Sequence, residues 1–284
     1  MNISKHEDGM VDLHLHTYYS DGIYSPAVIV KKCLDAGLKA LAVTDHETTL
    51  AFDEVQNEGK QLSLEVICGV EISAGYKKRE LHILGYMNSV NPGLTERLSL
   101  LRNGRFERME KMLYKLKKMN VFITPEDIKS EAGKAAPGRL HLARVMVEKG
   151  YISSLKEAFE RFIGRGCSAY IPRIKLDIGD AINLLKENDA LTFLAHPGVT
   201  NEGIETVREL KRKGLIGIEV FHPEHSPGMT ELYKSIAERE GLLISGGSDY
   251  HGEGKPSCKS PGCVTVNYEY FKTIKKSLKQ EVNL

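Results

Sequence analysis

Val11-Asp12-Leu13-His14-Leu15-His16 alternates apolar and polar residues with a period of two, the signature of a β-strand with one buried face. Residues i and i+2 of a strand point to the same side, so Asp12, His14 and His16 share a face. Ser20-Asp21-Gly22 follows closely and brings a further carboxylate to the end of this strand. The same arrangement returns downstream. Lys39–Thr44 reads as a strand and ends in Asp45-His46, while Leu64–Ser73 carries Glu71 inside an apolar run. A carboxylate buried there without a cation or a hydrogen-bond network would be costly.

Working outward, Glu80–Tyr86, Ala190–His196, Ile216–His222, Leu242–Ser245 and Cys263–Val266 also read as strands. Helical segments separate them. Ser25-Pro26 and Ser226-Pro227 each supply an N-cap followed by proline at the first helical position. Asp177 caps a helix whose Ile178, Ala181, Ile182 and Leu185 keep the helical period. Strand–helix alternation predicts an α/β fold with a parallel sheet, open or closed into a barrel. From Glu96 to Gly166 the pattern is helical throughout, with a capping signal at Thr124-Pro125-Glu126-Asp127. We read three parts: residues 10–95 and 167–284 form the barrel, and residues 96–166 form a helical insertion.

Charge separates the same parts. The insertion holds 16 Lys+Arg against 9 Asp+Glu, a net of +7. From totals of 39 and 38, the remainder keeps 23 basic and 29 acidic residues, a net of −6. An insertion of this sign suits an anion, although long exposed helices also carry many lysines for solubility. The overall net charge of +1 excludes a uniformly basic coat, so no duplex DNA partner is expected. There is no apolar run of about 18 residues and no secretory signal at the start, so a cytoplasmic protein without a membrane anchor is expected. Five cysteines (Cys33, Cys68, Cys167, Cys258, Cys263) lack the paired spacing of a structural zinc site and are expected to be reduced thiols.

Later strand ends repeat the opening theme. His82 lies in Glu80-Leu81-His82-Ile83, His196 in Ala195-His196-Pro197-Gly198, and His222 with His225 in Phe221-His222-Pro223-Glu224-His225. Asp249 and His251 lie in Gly246-Gly247-Ser248-Asp249-Tyr250-His251-Gly252. One such histidine alone reads as a satisfied structural group. Recurrence at strand end after strand end reads as metal catalysis, because barrel enzymes gather active-site groups at the C-terminal ends of their strands. Mixed imidazole and carboxylate donors suit manganese, with iron(II) and zinc as alternatives.

These motifs (DLHLHTYYSDG, VTDHET, GVEIS, LHILGY, PGRLHLAR, LAHPGV, GIEVFHPEH and GGSDYHG) resemble the polymerase and histidinol phosphatase (PHP) superfamily from Val11 to about Val266. The likeness is strongest to its stand-alone phosphoesterases, which act on nucleoside 5′-monophosphates, nucleoside 3′,5′-bisphosphates or RNA 5′ ends. It implies a distorted (β/α)7-type barrel and three divalent metals. His14, His16, Glu71 and Asp249 would hold the first, and Asp21, His46 and His251 the second. Glu71, His82 and His196 would hold the third. The implied reaction is hydrolysis of a phosphate monoester by a metal-bridging hydroxide, on a small nucleotide or a short RNA 5′ end, with exoribonuclease activity as an extension. Histidinol-phosphate phosphatase is the alternative. A non-catalytic polymerase module would have lost ligands and be much longer, and a metal-storage protein would need no basic insertion.

Asp12 and Asp45 are expected to orient imidazoles, and His222 to serve catalysis or the ligands. The likeness further implies substrate contacts from Arg139, His141 and Arg144 in PGRLHLAR, where Leu140 replaces a common proline. Tyr170 and Arg173 in AYIPRIK, and His225, complete the expected substrate set.

Overall fold

The computed structural model describes residues 9–173, 175–253 and 258–281. Eight strands follow one path: β8 (Leu243–Gly246), β7 (Gly217–Phe221), β6 (Leu191–Leu194), β4 (Arg79–Met87), β3 (Glu65–Tyr76), β2 (Ala40–Val43), β1 (Met10–Leu15) and β9 (Val266–Asn267). A two-residue strand, β5 (Leu176–Asp177), pairs with β3 off this path. Beyond β8 the chain returns to β1. The Asp249 amide donates to His14 O at 2.8 Å and the His16 amide to Tyr250 O at 3.1 Å, which nearly closes the barrel.

The barrel is mixed rather than wholly parallel. Strand β4 runs antiparallel to both β3 and β6, and β9 runs antiparallel to β1. The physical reason is local. Lys77 and Lys78 both adopt positive φ (44° and 69°), so β3 turns straight into β4 without a crossover helix. The final strand occupies Val266–Asn267, later than the Cys263–Val266 expected.

Helix boundaries follow the side chains that satisfy their free amides. Ser25 and Ser226 accept from the Val28 and Met229 amides ahead of α1 (Pro26–Asp35) and α9 (Pro227–Glu240). Asp177 accepts from Gly179 at the start of α7 (Ile178–Lys186). Helices α2 (Phe52–Gln61), α8 (Ile204–Lys213) and α10 (Tyr268–Glu281) complete this unit. Val11 and Leu13 of β1 join a buried cluster with Phe271, Ile274 and Leu278 of α10, leaving the alternate residues Asp12, His14 and His16 to the opposite side.

The chain divides into two compact units, residues 1–96 with 176–284 and residues 97–175. The second unit comprises most of α3 (Pro92–Lys117), then α4 (Pro125–Ala132), α5 (Arg139–Glu148), α6 (Leu155–Ala158) and a π-helical turn at Phe159–Ile163. Thr124 and Asp127 form a reciprocal capping box at the start of α4. This unit has its own core, in which Met112 and Leu116 of α3 pack with Leu142 and Met146 of α5. It runs past Gly166, because Ala169 belongs to that core and Arg108 and Lys115 hold the Ile171 and Tyr170 carbonyls.

The cysteines depart from expectation. Cys258 and Cys263 form a disulfide, whereas Cys33, Cys68 and Cys167 are free thiols. The two partners are five residues apart, and Gly262 with positive φ (75°) lets the intervening turn close.

Candidate metal centre

Strand alternation delivers His14 and His16 side by side, both fully buried. Their Nε2 atoms stand 3.4 Å from Glu71 Oε2, and 3.4 and 3.1 Å from Asp249 Oδ1. Donors bound to one ion at about 2.0–2.2 Å lie roughly 3.0–3.5 Å apart, so these four atoms have the spacing of a shared coordination sphere. Neither Nε2 has a hydrogen-bond partner although both are buried. An imidazole nitrogen left in this way needs a cation or a proton donor.

A second group gathers His16, Asp21, His46 and His251. Asp21 Oδ1 lies 3.2 Å from His251 Nε2 and 3.5 Å from His16 Nδ1, while Oδ2 lies 3.6 Å from His46 Nε2. A third surrounds the other oxygen of Glu71, with His82 Nδ1 at 2.7 Å and His196 Nε2 at 3.1 Å from Oε1. His46 Nδ1 also approaches Glu71 Oε2, at 3.3 Å. Glu71 thus stands between the first and third groups, and His16 and His46 each face two. All nine residues singled out in the sequence converge here.

The electrostatics match this arrangement. Burial raises the cost of ionising Glu71, yet His46, His82 and His14 hold its carboxyl well below the usual range. Asp249 and Asp21 are likewise held well below it against burial, chiefly by His14 and by His46 respectively. Burial pushes His16 down to about 3, with His251 beside it adding to the effect. His14 goes the other way: burial lowers it, but Glu219, Glu71 and Asp249 together hold it well above 6.5. Two candidate ligands also occupy unfavourable backbone, His196 at φ 26° and Asp249 at φ 48°. Strain of this kind persists only where the surroundings fix it.

A supporting shell sets the rings. The Glu219 carboxylate meets His14 Nδ1 at 2.9 Å and accepts the His196 amide at 2.7 Å. Nδ1 of His14 therefore donates to Glu219, which turns Nε2 toward the carboxylates of Glu71 and Asp249. His222 Nδ1 accepts from the Glu224 amide at 3.2 Å, so its Nε2 proton points to Asp249 Oδ2 at 3.4 Å.

Three expectations change. Asp12 and Asp45 do not orient imidazoles. Asp12 accepts from the backbone amides of His14, Ser248 and Gly262, tying β1 to the segment after β8. Gly247 is required in that seam, because a Cβ there would come within 2.4 Å of the His14 nitrogen. Asp45 accepts from Thr17 N and Oγ1 and from Ser20 Oγ, fixing the turn that carries Asp21. His225 is no substrate contact either. It is buried, its Nδ1 donates to Val220 O at 2.8 Å, and its Nε2 accepts the Gly198 amide at 3.0 Å.

The helical unit gathers cations instead. Arg139 opens α5, with its guanidinium over the rings of Phe159 and Tyr170 (5.3 and 5.6 Å to the centroids). Arg108 lies over the same Tyr170 ring at 5.9 Å and donates to Ile171 O at 2.8 Å. Burial, then the charges of Arg139, Arg173 and Arg105, bring Arg108 down to about 10. Among the described residues, neither Arg108 nor Arg139 meets a carboxylate. His141 accepts the Gly138 amide as a helix cap, and Arg144 pairs with Glu131 at 3.3 Å on the surface. Arg105 and Arg108 were missed in the sequence, where they look like ordinary charges of an exposed helix.

A PHP domain profile matches residues 12–134, and the 5′-3′ exoribonuclease Rnm of Escherichia coli is 31% identical over 250 residues, covering 84% of each chain. This chain belongs to the PHP family. The PHP assignment extends beyond one relative. The 3′,5′-nucleoside bisphosphate phosphatase of Chromobacterium violaceum is 26% identical over 260 residues, covering 86% of this chain and 88% of its own. A candidate metal-dependent phosphoesterase from Bifidobacterium adolescentis superposes with a TM-score of 0.81 at 28% identity, covering 94% of this chain and 96% of its own. The protein is a PHP-family phosphoesterase, a hydrolase of phosphate esters with buried histidine and carboxylate clusters suited to several metals. Among the described residues no helix is long and apolar enough to cross a membrane.

Proposed function

We propose that this phosphoesterase hydrolyses phosphate monoesters on nucleotides that carry a second anionic group, such as a nucleoside 3′,5′-bisphosphate or an RNA 5′ end. The observation that carries this reading is the guanidinium cluster of Arg108 and Arg139 around Tyr170, two side chains that meet no carboxylate among the described residues. Like charges held together in partly buried surroundings are costly unless an anion joins them. The two named relatives support the class, since one is an exoribonuclease and the other a bisphosphate phosphatase.

His14, His16, Glu71 and Asp249 would hold one divalent ion, Asp21, His46 and His251 a second, and Glu71, His82 and His196 a third, with manganese the favoured metal. When bound, such ions neutralise phosphoryl charge and make water a competent nucleophile near neutral pH. The chain's own groups position the rest. Glu219 keeps the His14 proton on Nδ1, and His222 steadies Asp249 by donation from Nε2. Within the helical unit, Arg108 and Arg139 gather on the half-buried Tyr170 ring and would favour an anionic group of a nucleotide. The role of His141 is to fix the start of α5, and that of Arg173 is to add charge to the cluster.

The test is phosphate release by manganese-loaded protein from 5′-mononucleotides, nucleoside 3′,5′-bisphosphates, 5′-phosphorylated oligoribonucleotides and histidinol phosphate. Catalytic efficiency should be about tenfold or more higher for substrates with two anionic groups, since one charge-assisted contact contributes roughly 1.5–3 kcal/mol. High salt should narrow the gap. A preference for histidinol phosphate that survives in salt would overturn the nucleotide reading.

A further inference from the structure

Asp12 lies fully buried where the two ligand-bearing segments meet, and the disulfide bears on one of its hydrogen bonds. Its Oδ1 accepts the His14 and Ser248 amides at 3.2 and 2.9 Å, next to the candidate ligands His14 and Asp249. Its Oδ2 accepts the Gly262 amide at 2.9 Å. Gly262 directly precedes Cys263, and its positive φ of 75° aims that amide inward. The Cys258–Cys263 bond closes the short turn that presents it. The two cysteines differ in access: Cys258 is 2% exposed and packs in a core cluster with Leu15, Ile29 and Tyr250, while Cys263 is an exposed residue.

We propose that Cys258–Cys263 is a reversible thiol–disulfide modification site that sets the metal affinity of the centre. The co-reactant is a low-molecular-weight thiol or dithiol. Its thiolate attacks Sγ of the exposed residue Cys263, the S–S bond breaks, and Cys258 leaves as a thiolate that takes up a proton. A second thiol attacks the small-molecule sulfur of the mixed disulfide, returning Cys263 as a thiol and releasing the small-molecule disulfide. Two electrons pass to the protein, and two small thiols are oxidised. Freed of the cross-link, the turn gains conformational freedom and holds the Gly262 amide on Asp12 less often. Asp12 Oδ2 is then a buried acceptor short of a donor, and the seam between His14 and Asp249 loosens. Loss of one hydrogen bond from a buried carboxylate in this seam is expected to weaken metal binding by about tenfold.

The inference rests on the metal-centre reading above, and its test separates the two. Full-length protein would be kept oxidised, or reduced with a phosphine and desalted, and titrated with Mn2+ while free Mn2+ is followed by electron paramagnetic resonance. Thiol content would be counted by alkylation and mass spectrometry, and circular dichroism would confirm that both forms are folded. We expect the reduced form to bind Mn2+ roughly tenfold more weakly, with recovery on reoxidation. The double variant Cys258→Ser/Cys263→Ser should stay at the weak level whatever the reductant. Equal affinity in both redox states, or free thiols at both positions in protein purified without reductant, would overturn the redox inference alone. No Mn2+ binding in either state would overturn the metal-centre reading with it.

Discussion

The barrel mouth and the helical unit each crowd charged or ionisable groups, but they solve the problem in opposite ways. At the mouth, Glu71, Asp249 and Asp21 share small volumes with imidazole nitrogens, several of them buried without a hydrogen-bond partner, so the set is suited to a cation. In the helical unit, Arg108 and Arg139 share one tyrosine ring and, among the described residues, meet no carboxylate, so that set is suited to an anion. On the function proposed above, one region would hold a resident ion and the other a transient one. The contrast also orders the expected effects of mutation, because a resident ion sits in the chemistry and a transient anion only adds affinity.

Replacing Glu71 by alanine should produce the largest change. The side chain faces two donor groups, so more than one ion per chain should be lost, as counted by elemental analysis. Removing several kcal/mol of charge stabilisation should lower turnover by about three orders of magnitude. Full metal content in this variant would break the comparison at its strongest point. Next come Arg108→Ala and Arg139→Ala, which should raise KM for a 3′,5′-bisphosphate roughly 10–100-fold while metal content is unchanged. If either variant loses metal, the helical unit's arginines are structural and the contrast fails.

Proton linkage sharpens the mouth's side of the comparison. His14 is held protonated above pH 6.5 in the metal-free protein, and a metal on its Nε2 must displace that proton. Its ion pairing should stabilise the metal-free fold fully below 6.5, with the contribution lost as pH rises through the elevated pKa. Metal affinity should run the other way, rising with pH by up to roughly tenfold per unit over that window. Calorimetry in buffers of different ionisation enthalpy would count the protons released, and a value near zero would contradict the assignment. The smallest effect belongs to Arg144→Ala. Its exposed pair with Glu131 contributes less than about 1 kcal/mol, so kcat/KM should change by less than about threefold. An effect as large as that of Arg139→Ala would extend the anion site along α5.

Much of the barrel and the mouth was legible because strands write their geometry with a period of two. His14 and His16 fall on one face, and an acid such as Glu71 stands out in an apolar run. Capping residues fixed helix starts at Ser25, Thr124, Asp177 and Ser226 for a similarly local reason. What escaped carries weaker marks. The direction of β4 is set by a tight turn at Lys77–Lys78 that takes positive φ without a glycine, and the Cys258–Cys263 spacing resembles no common motif. Arg105 and Arg108 carry no mark of their cluster until the chain brings Tyr170 and Arg139 alongside. Asp12, Asp45 and His225 sit in the right motifs but spend their hydrogen bonds mainly on backbone and hydroxyl groups, a choice decided by loop geometry.

The double grip of Glu219 has a kinetic consequence. By holding both the His14 ring and the His196 amide, it keeps two metal-facing positions in place before any ion arrives. Ring flips at His14 would break a buried ion pair, so this imidazole should rotate slowly even in the metal-free protein. Capture of an ion then requires little rearrangement of the chain. Loading should be limited by the rate at which the ion sheds its own hydration water, giving faster uptake for ions with labile water shells at equal concentration.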